Sequence, residues 1–287
     1  MTFAKHPNLF AGFKTWIAVG FSSLLVLGIT ACGGGGNEPG EPLPPDVPVV
    51  SLMTPGAYEN EGSVKNWAVI LLPSDSSSTN GANFFALNYK TDGPDIYSGS
   101  GLITGNNSAN LTQIKLHPYA AAVRTGSATL KSLSAGQVQA TLDFPVAGSS
   151  NTPVIDLTLR TPAGYVGSST ASLAAVQGDW TQGILSFGTT NNTFSLNVSS
   201  TGVVSSYMNF AGDCRFALGN LMADFPDTNL FKFTATVSSG TNCNSWANQS
   251  VTGAGFVRTS AEPGKTQRLY LVGVTTDGRG ISFKADR

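Results

Sequence analysis

Charge is scarce in this chain: Asp, Glu, Lys and Arg make up 11% of its 287 residues, where about a quarter is usual. The formal net charge is −1. Such a balance leaves no basic stripe to neutralise several phosphates, so no nucleic-acid partner is expected. Histidine is scarcer still, with only His6 and His117. A metal centre built on several histidines is thereby excluded, and beyond the first thirty or so residues a Ser-His-Asp triad has one available base. Gly-x-Ser-x-Gly, Ser-x-x-Lys and an acidic EF-hand loop are all missing. No long segment carries apolar residues at helical spacing. No cofactor is expected, and the chain is read as a non-enzyme.

What is present from Gly56 onward is a succession of short segments with period-two alternation. In Thr193-Phe194-Ser195-Leu196-Asn197-Val198 and in Phe231-Lys232-Phe233-Thr234-Ala235-Thr236-Val237 every second side chain is apolar. One face of each segment is therefore buried and the other meets water. Asn83 to Tyr89, Tyr97 to Ile103, Ala128 to Leu133, Val138 to Phe144, Cys214 to Met222 and Arg268 to Thr275 also read as strands. Trp67 to Leu72 is apolar at every position, which predicts a central strand covered on both faces. Asp92-Gly93, Asn191-Asn192, Thr201-Gly202 and Asp277-Gly278 supply turn chemistry. The fold class is all-β, in two antiparallel lobes, each a sandwich or a small barrel. The lobes are placed at residues 54–161 and 178–287. Residues 162–177 form a linker in which Ser172 to Gln177 can make a helical turn.

The start of the chain has a different character. Lys5 and Lys14 precede an uncharged stretch that ends in Ile29-Thr30-Ala31-Cys32, followed at once by four glycines. This arrangement resembles the lipobox of bacterial lipoprotein signals. The resemblance implies a signal peptide over residues 1–31, cleavage after Ala31, and acylation of Cys32 with palmitate-like chains. Cleavage would remove two basic residues and no acid, shifting the formal charge to about −3. Residues 32–53 combine glycine with five prolines and read as a tether with no core of its own. Its r.m.s. span of about 25 Å would hold a folded body just clear of a bilayer. In lipoproteins of this kind an aspartate after the cysteine favours inner-membrane retention. Gly33 stands there instead, so the expected location is the outer membrane, on its periplasmic face or at the cell surface.

With Cys32 acylated, Cys214 and Cys243 remain as an even pair in a compartment where disulfides persist, and a bond between them is expected. Two buried free thiols are the alternative. Trp246 lies among Asn244, Ser245, Ala247 and Asn248 beside Cys243, in what reads as a loop. There it could meet a protein or glycan partner or fold back over its own lobe.

Both lobes open on glycine, one residue, then an aromatic: Gly56-Ala57-Tyr58 and Gly178-Asp179-Trp180. This is a hint of duplication. The second opening resembles the G-x-W motif of lipocalins and related calycins, which implies an eight-stranded calycin-like barrel for the C-terminal lobe. More broadly, lipobox, tether and two β lobes resemble proteobacterial surface lipoproteins of uncharacterised function, a likeness that carries no activity with it. Three functions follow as expectations. The first is a lipid-anchored binding or structural module of the envelope; the second is a carrier of a small apolar ligand in the C-terminal barrel. The third is a hydrolase built on carboxylates such as Asp92 and Asp95 or Asp224 and Asp227, which would need two acids about 5 to 9.5 Å apart in one cleft.

Overall fold

The computed structural model describes residues 53–287, apart from 61–65, 75–80, 91–92, 105–106, 118–121, 146–153, 168, 188–189, 209–214 and 226. The signal peptide, Cys32, the tether up to residue 52, Asp92 and Cys214 lie outside the described residues. Everything described belongs to one compact unit, Pro48–Arg287.

The chain forms two closed eight-stranded antiparallel barrels. The first comprises β1 (Gly56–Asn60), β2 (Trp67–Pro73), β3 (Gly81–Asn88), β4 (Asp95–Thr104), β5 (Ser108–His117), β6 (Arg124–Ser134), β7 (Gln137–Asp143) and β8 (Val154–Arg160). These pair in sequence order, and β1 closes on β8 through Glu59 opposite Arg160 and Asn60 opposite Leu159. A single turn of helix, α1 (Leu173–Val176), precedes the second barrel. Its strands are β9 (Gly178–Phe187), β10 (Thr190–Val198), β11 (Val203–Met208), β12 (Phe216–Met222), β13 (Phe231–Val237), β14 (Ser250–Thr259), β15 (Gln267–Thr275) and β16 (Gly280–Asp286). Again neighbours in sequence pair, and β16 returns to β9.

Alternation explains the closure. In β13 the pattern of burial alternates along the whole strand, so Phe231 and Phe233 point inward while Lys232 and Thr234 point out. Phe194, Leu196, Phe231 and Phe233 share one core with Phe216 and Phe283. The rings meet edge to face, Phe194 with Phe283 at 5.9 Å and Phe216 with Phe233 at 5.6 Å, a favoured aromatic geometry. The first barrel is filled in the same way by Trp67, Tyr97 and Phe144, whose ring centroids stand 5.1 and 5.5 Å apart in succession. Its tight wall depends on Gly99 and Gly101 of β4. A Cβ at Gly99 would overlap the Ile114 side chain, and one at Gly101 the Asn110 carbonyl. Bulges on both β4 and β5 mark this crossing.

A third core lies outside both barrels, where they pack against each other. Ala57, Ile70, Leu72 and Phe85 from the first wall meet Ala254, Phe256 and Val272 from the second, with Tyr165 and Phe225 from loops. This explains β2, which is buried at all seven positions: one face lines its own barrel and the other is covered by its neighbour. Charge is sealed into the same contact. Arg258 Nε stands 2.6 Å from Glu59 Oε1, with both side chains at most 5% exposed.

The two openings also match in their side chains. Tyr58 donates its hydroxyl to the Thr54 carbonyl at 2.7 Å, and Trp180 donates Nε1 to the Val176 carbonyl at 2.8 Å. Each aromatic thus bonds back four residues, tying the entering chain to the first strand of its barrel.

Candidate functional site

The second barrel has a weak seam. β11 pairs with β10 at five positions, but among the described residues it pairs with β12 only at Val203 with Asn220 and Val204 with Gly219. β12 carries a bulge between Phe216 and Leu218 in its pairing with β13, and a bulge bends its strand and breaks the ladder locally. Beyond Val204 the two strands part. Ser206 turns its hydroxyl into the gap and accepts the Phe216 N–H at 2.7 Å, so a side chain replaces a ladder bond.

The parting opens a cleft of about 480 Å³, lined by Ser205, Ser206, Arg215, Ser238, Ser239 and Asn248 over a floor that includes Phe216 and Val237. Arg215 is exposed at its edge and is the only charged residue of the lining among the described residues. Ser238 joins the cleft to the cysteine region: its hydroxyl accepts the Arg215 backbone N–H at 3.2 Å and lies 3.3 Å from Cys243 Sγ. Cys243 is buried in a short 3-10 helix, Thr241–Trp246. Asn248 forms the opposite lip in a left-handed conformation, φ 59°, and its N–H bonds the Val237 carbonyl at 3.1 Å.

Trp246 sits two residues from that lip. It is half-buried against the barrel core, and the Arg279 guanidinium lies 3.9 Å from its ring centroid. Arg279 also donates to the Ser245 hydroxyl at 2.7 Å and to its carbonyl at 2.6 Å. Asp277 completes the clamp with an ion pair to Arg279 at 2.5 Å. Slight burial opposes the charge on Asp277, but its bonds to Arg279 and Thr275 prevail and hold the carboxyl below its ordinary range. The Trp246 ring is thus engaged by its own chain on one face.

His117 ends β5 at the contact between the barrels, 5% exposed. Its Nε2 is 3.0 Å from Ser98 Oγ, and a Cβ added at Gly280 would stand 3.1 Å from its Cβ. Burial lowers its pKa, Lys115 adds to the effect, and the Gly278 backbone opposes it. The Ser98–His117 pair faces the packed interface.

The acidic residues fall into different settings. Asp95 is buried and ion-paired with Lys90, while Asp224 and Asp227 are exposed, Asp227 in a turn at φ 56°. A pair that the sequence reading did not single out, Glu262 and Asp286, does share a cleft of about 270 Å³ with Thr181 and Lys265. Arg268 bridges it. Its Nε and Nη2 reach the two oxygens of Asp286 at 2.7 and 2.8 Å, and Nη2 also reaches Glu262 at 3.0 Å. Partial burial pushes the Asp286 pKa up, but the two-point bond to Arg268 and the Ser260 hydroxyl outweigh it, and the net shift is downward. A carboxylate held ionised in this way cannot serve as the proton donor of glycoside hydrolysis.

Arg287 was not legible as a structural residue in the sequence. It lies over the Trp180 ring at 4.3 Å and donates to the carbonyls of Ala175 and Gln177. Arg287 thereby caps the end of the barrel where β9 begins.

Among the described residues no group of three or more His, Cys, Asp or Glu could hold a metal ion, and no helix is long and apolar enough to cross a membrane. No protein-family model matches the chain, and neither a curated protein nor a solved structure matches it significantly.

Proposed function

We propose that the chain is a non-enzymatic, lipid-anchored protein of the bacterial envelope whose paired barrels act as a rigid binding module. The observation that carries this reading is the filling of both barrels. Phe194, Leu196, Phe231 and Phe233 occupy the interior of the second barrel in mutual contact with its other aromatic rings. A carrier of small apolar ligands needs an open apolar cavity there. Recognition therefore belongs to the outer surface, which fits a protein or glycan partner better than an enclosed small molecule. The acidic pair Glu262 and Asp286, neutralised by Arg268, counts against a carboxylate hydrolase.

The anchor follows from the lipobox at Cys32 and the Gly/Pro tether behind it. Acyl chains contribute about 0.8 kcal/mol per buried CH₂, so attachment by several of them is effectively permanent. Gly33 after the cysteine favours the outer membrane. The proposed Cys214–Cys243 bond would close a loop of about 30 residues and contribute roughly 3.5 kcal/mol in the chain-entropy model. It is supported by the cysteine count: with Cys32 acylated, Cys214 and Cys243 remain as an even pair.

Membrane fractionation of cells producing the full chain and its Cys32→Ser variant tests the anchor. The native chain is expected in the outer-membrane fraction and the variant in the soluble fraction. A Cys32→Ser protein that still partitions with membranes would overturn the lipoprotein reading. Added protease on intact cells then separates surface display, where the barrels are cut away, from a periplasmic position, where they are protected.

A further inference from the structure

We propose that His117 is a proton-sensitive latch between the two barrels: when its imidazole takes up a proton, the turn joining β15 to β16 lifts from the first barrel and draws Arg279 off Trp246. The first argument is how tightly the latch is packed. His117 is 5% exposed, and Gly280, at the start of β16, lies directly against it. A Cβ added at Gly280 would stand 2.7 Å from Ile96 Cβ and 3.1 Å from His117 Cβ. Only glycine lets the second barrel come this near, and at such a separation the ring is almost dry.

The second argument is that the surroundings suit the neutral ring. Nε2 meets the Ser98 hydroxyl at 3.0 Å, and Nδ1 is buried with no hydrogen-bond partner among the described residues. An imidazolium would present two N–H donors here instead of one. The acids on the flanking elements are already committed. Asp95, next to the Ile96 that stands opposite His117, is ion-paired with Lys90, and Asp277 of the β15–β16 turn with Arg279. Asp286, at the far end of β16, is bound to Arg268. Lys115 on β5, Arg124 on β6 and Lys284 on β16 are cations, the last turned to the Tyr89 ring at 4.4 Å. Burial lowers the His117 pKa, the Gly278 backbone opposes this and Lys115 adds to it. A buried charge without a counter-ion is costly, and moving the turn away restores its hydration.

The third argument is what the turn carries. It is bonded within itself: the Thr275 N–H donates to the Arg279 carbonyl at 2.8 Å, the Gly278 N–H to the Thr275 carbonyl at 2.9 Å, and the Arg279 N–H to the Thr275 hydroxyl at 2.9 Å. It therefore moves as a unit. Arg279 within it lies 3.9 Å from the Trp246 ring centroid and donates to Ser245, both in the 3-10 helix Thr241–Trp246. One continuous element thus joins His117, at the contact between the barrels, to a loop of the second barrel.

The latch does not depend on the lipid anchor and is tested apart from it. The full chain in mild detergent and low salt, labelled with 5-fluorotryptophan, is followed by fluorine NMR between about pH 7.5 and about pH 5, with Trp246→Phe assigning the Trp246 signal. Hydrogen exchange is measured over residues 275–281 at both ends of the range. The Trp246 signal is expected to move with one midpoint below about pH 6.5, and protection in the turn to fall about tenfold on acidification. Far-UV circular dichroism and the Trp67 and Trp180 signals should hold. His117→Gln should abolish the movement and keep the turn protected at both pH values. Lys115→Gln, which removes a cation from the same strand at an exposed position, should raise the midpoint and keeps the test open should His117→Gln lose its native circular dichroism. A Trp246 shift that persists in His117→Gln, a Trp246 signal unmoved across the range, a midpoint that Lys115→Gln leaves in place, or loss of circular dichroism at the same midpoint would each overturn the proposal.

Discussion

Glu59 of the first barrel and Arg258 of the second meet at 2.6 Å inside the contact that joins the two. Arg258 also donates to the Thr259 carbonyl at 2.6 Å and to the Tyr270 hydroxyl at 3.3 Å, so its charge is shared among three partners. Removing one member leaves the other buried and uncompensated, which costs about 3–5 kcal/mol. Glu59→Ala and Arg258→Ala are each expected to lower the unfolding free energy by that amount, read from the drop in the urea midpoint at unchanged m. Glu59→Leu with Arg258→Met should cost clearly less than the two single changes together. An additive double variant would mean that the pair is not coupled.

Asp286 gives the protein an acid-sensitive contact. Its folded pKa lies below the ordinary 3.8, because Arg268 and Ser260 outweigh the cost of burial. A depressed carboxylate contributes stability that is fully present above the unfolded pKa and is lost as pH falls through the folded one. Unfolding free energy should therefore decline below about pH 4. Arg268→Gln should be less stable at pH 7 and should flatten that decline, as measured by urea titrations between pH 2 and 7.

His117 acts at milder pH. Burial holds its pKa below the ordinary 6.5, so the neutral ring is favoured in the folded state and the unfolded state takes up the proton first. Stability is constant above the unfolded pKa and falls as pH drops from about 6.5 toward the folded value. Urea midpoints at pH 7.5 and 5.5 should differ for the native chain. In His117→Gln that difference should shrink, since the neutral side chain has nothing to titrate in this range.

Trp246 and Arg279 form a stacked pair whose strength a double-mutant cycle can read. Partly exposed cation–π contacts are worth about 0.5–1 kcal/mol, and here the guanidinium is also fixed by Ser245 and Asp277. Trp246→Ala and Arg279→Ala should show a coupling of about 1 kcal/mol in thermal unfolding. A coupling near zero would mean that the stacked contact does not stabilise the fold.

Much of the architecture was legible because β structure writes its burial into the sequence two residues at a time. Thr193 to Val198 and Phe231 to Val237 alternate strictly, and their apolar members are the ones that fill the second barrel. The unbroken run at Trp67 to Leu72 announced a strand covered on both faces, and β2 is buried throughout. Sequence could not say what covers its second face. That required the neighbouring barrel, whose contributing residues Phe256 and Val272 lie about two hundred positions away. Local pattern also left sandwich and barrel open, since both bury alternate residues; the pairings of β8 with β1 and of β16 with β9 decide between them.

The candidate site was less legible. Trp246 drew notice as an aromatic among polar residues, but Arg279 covers one of its faces and the cleft lies beyond it. Arg215 carried no local signal. Its position at the edge of a cleft depends on β11 and β12 parting, and that follows from a bulge in β12 and a hydroxyl taken into the seam at Ser206. The acidic pair Glu262 and Asp286 escaped detection for a related reason, being united only when the Glu262 loop folds against the end of β16.

The sequence by itself determined the class of the fold and its division in two, because alternation, turn residues and glycine openings are local properties that each segment carries alone. It also excluded metal centres built on several histidines, since residues that are missing cannot be brought together by any fold. Tertiary structure alone decided that the lobes close into barrels, that the barrels seal Glu59 against Arg258, and that one seam opens beside Arg215. Those outcomes depend on pairings between distant strands, and only the folded chain sets which charges are neutralised and which remain at the surface of a cleft.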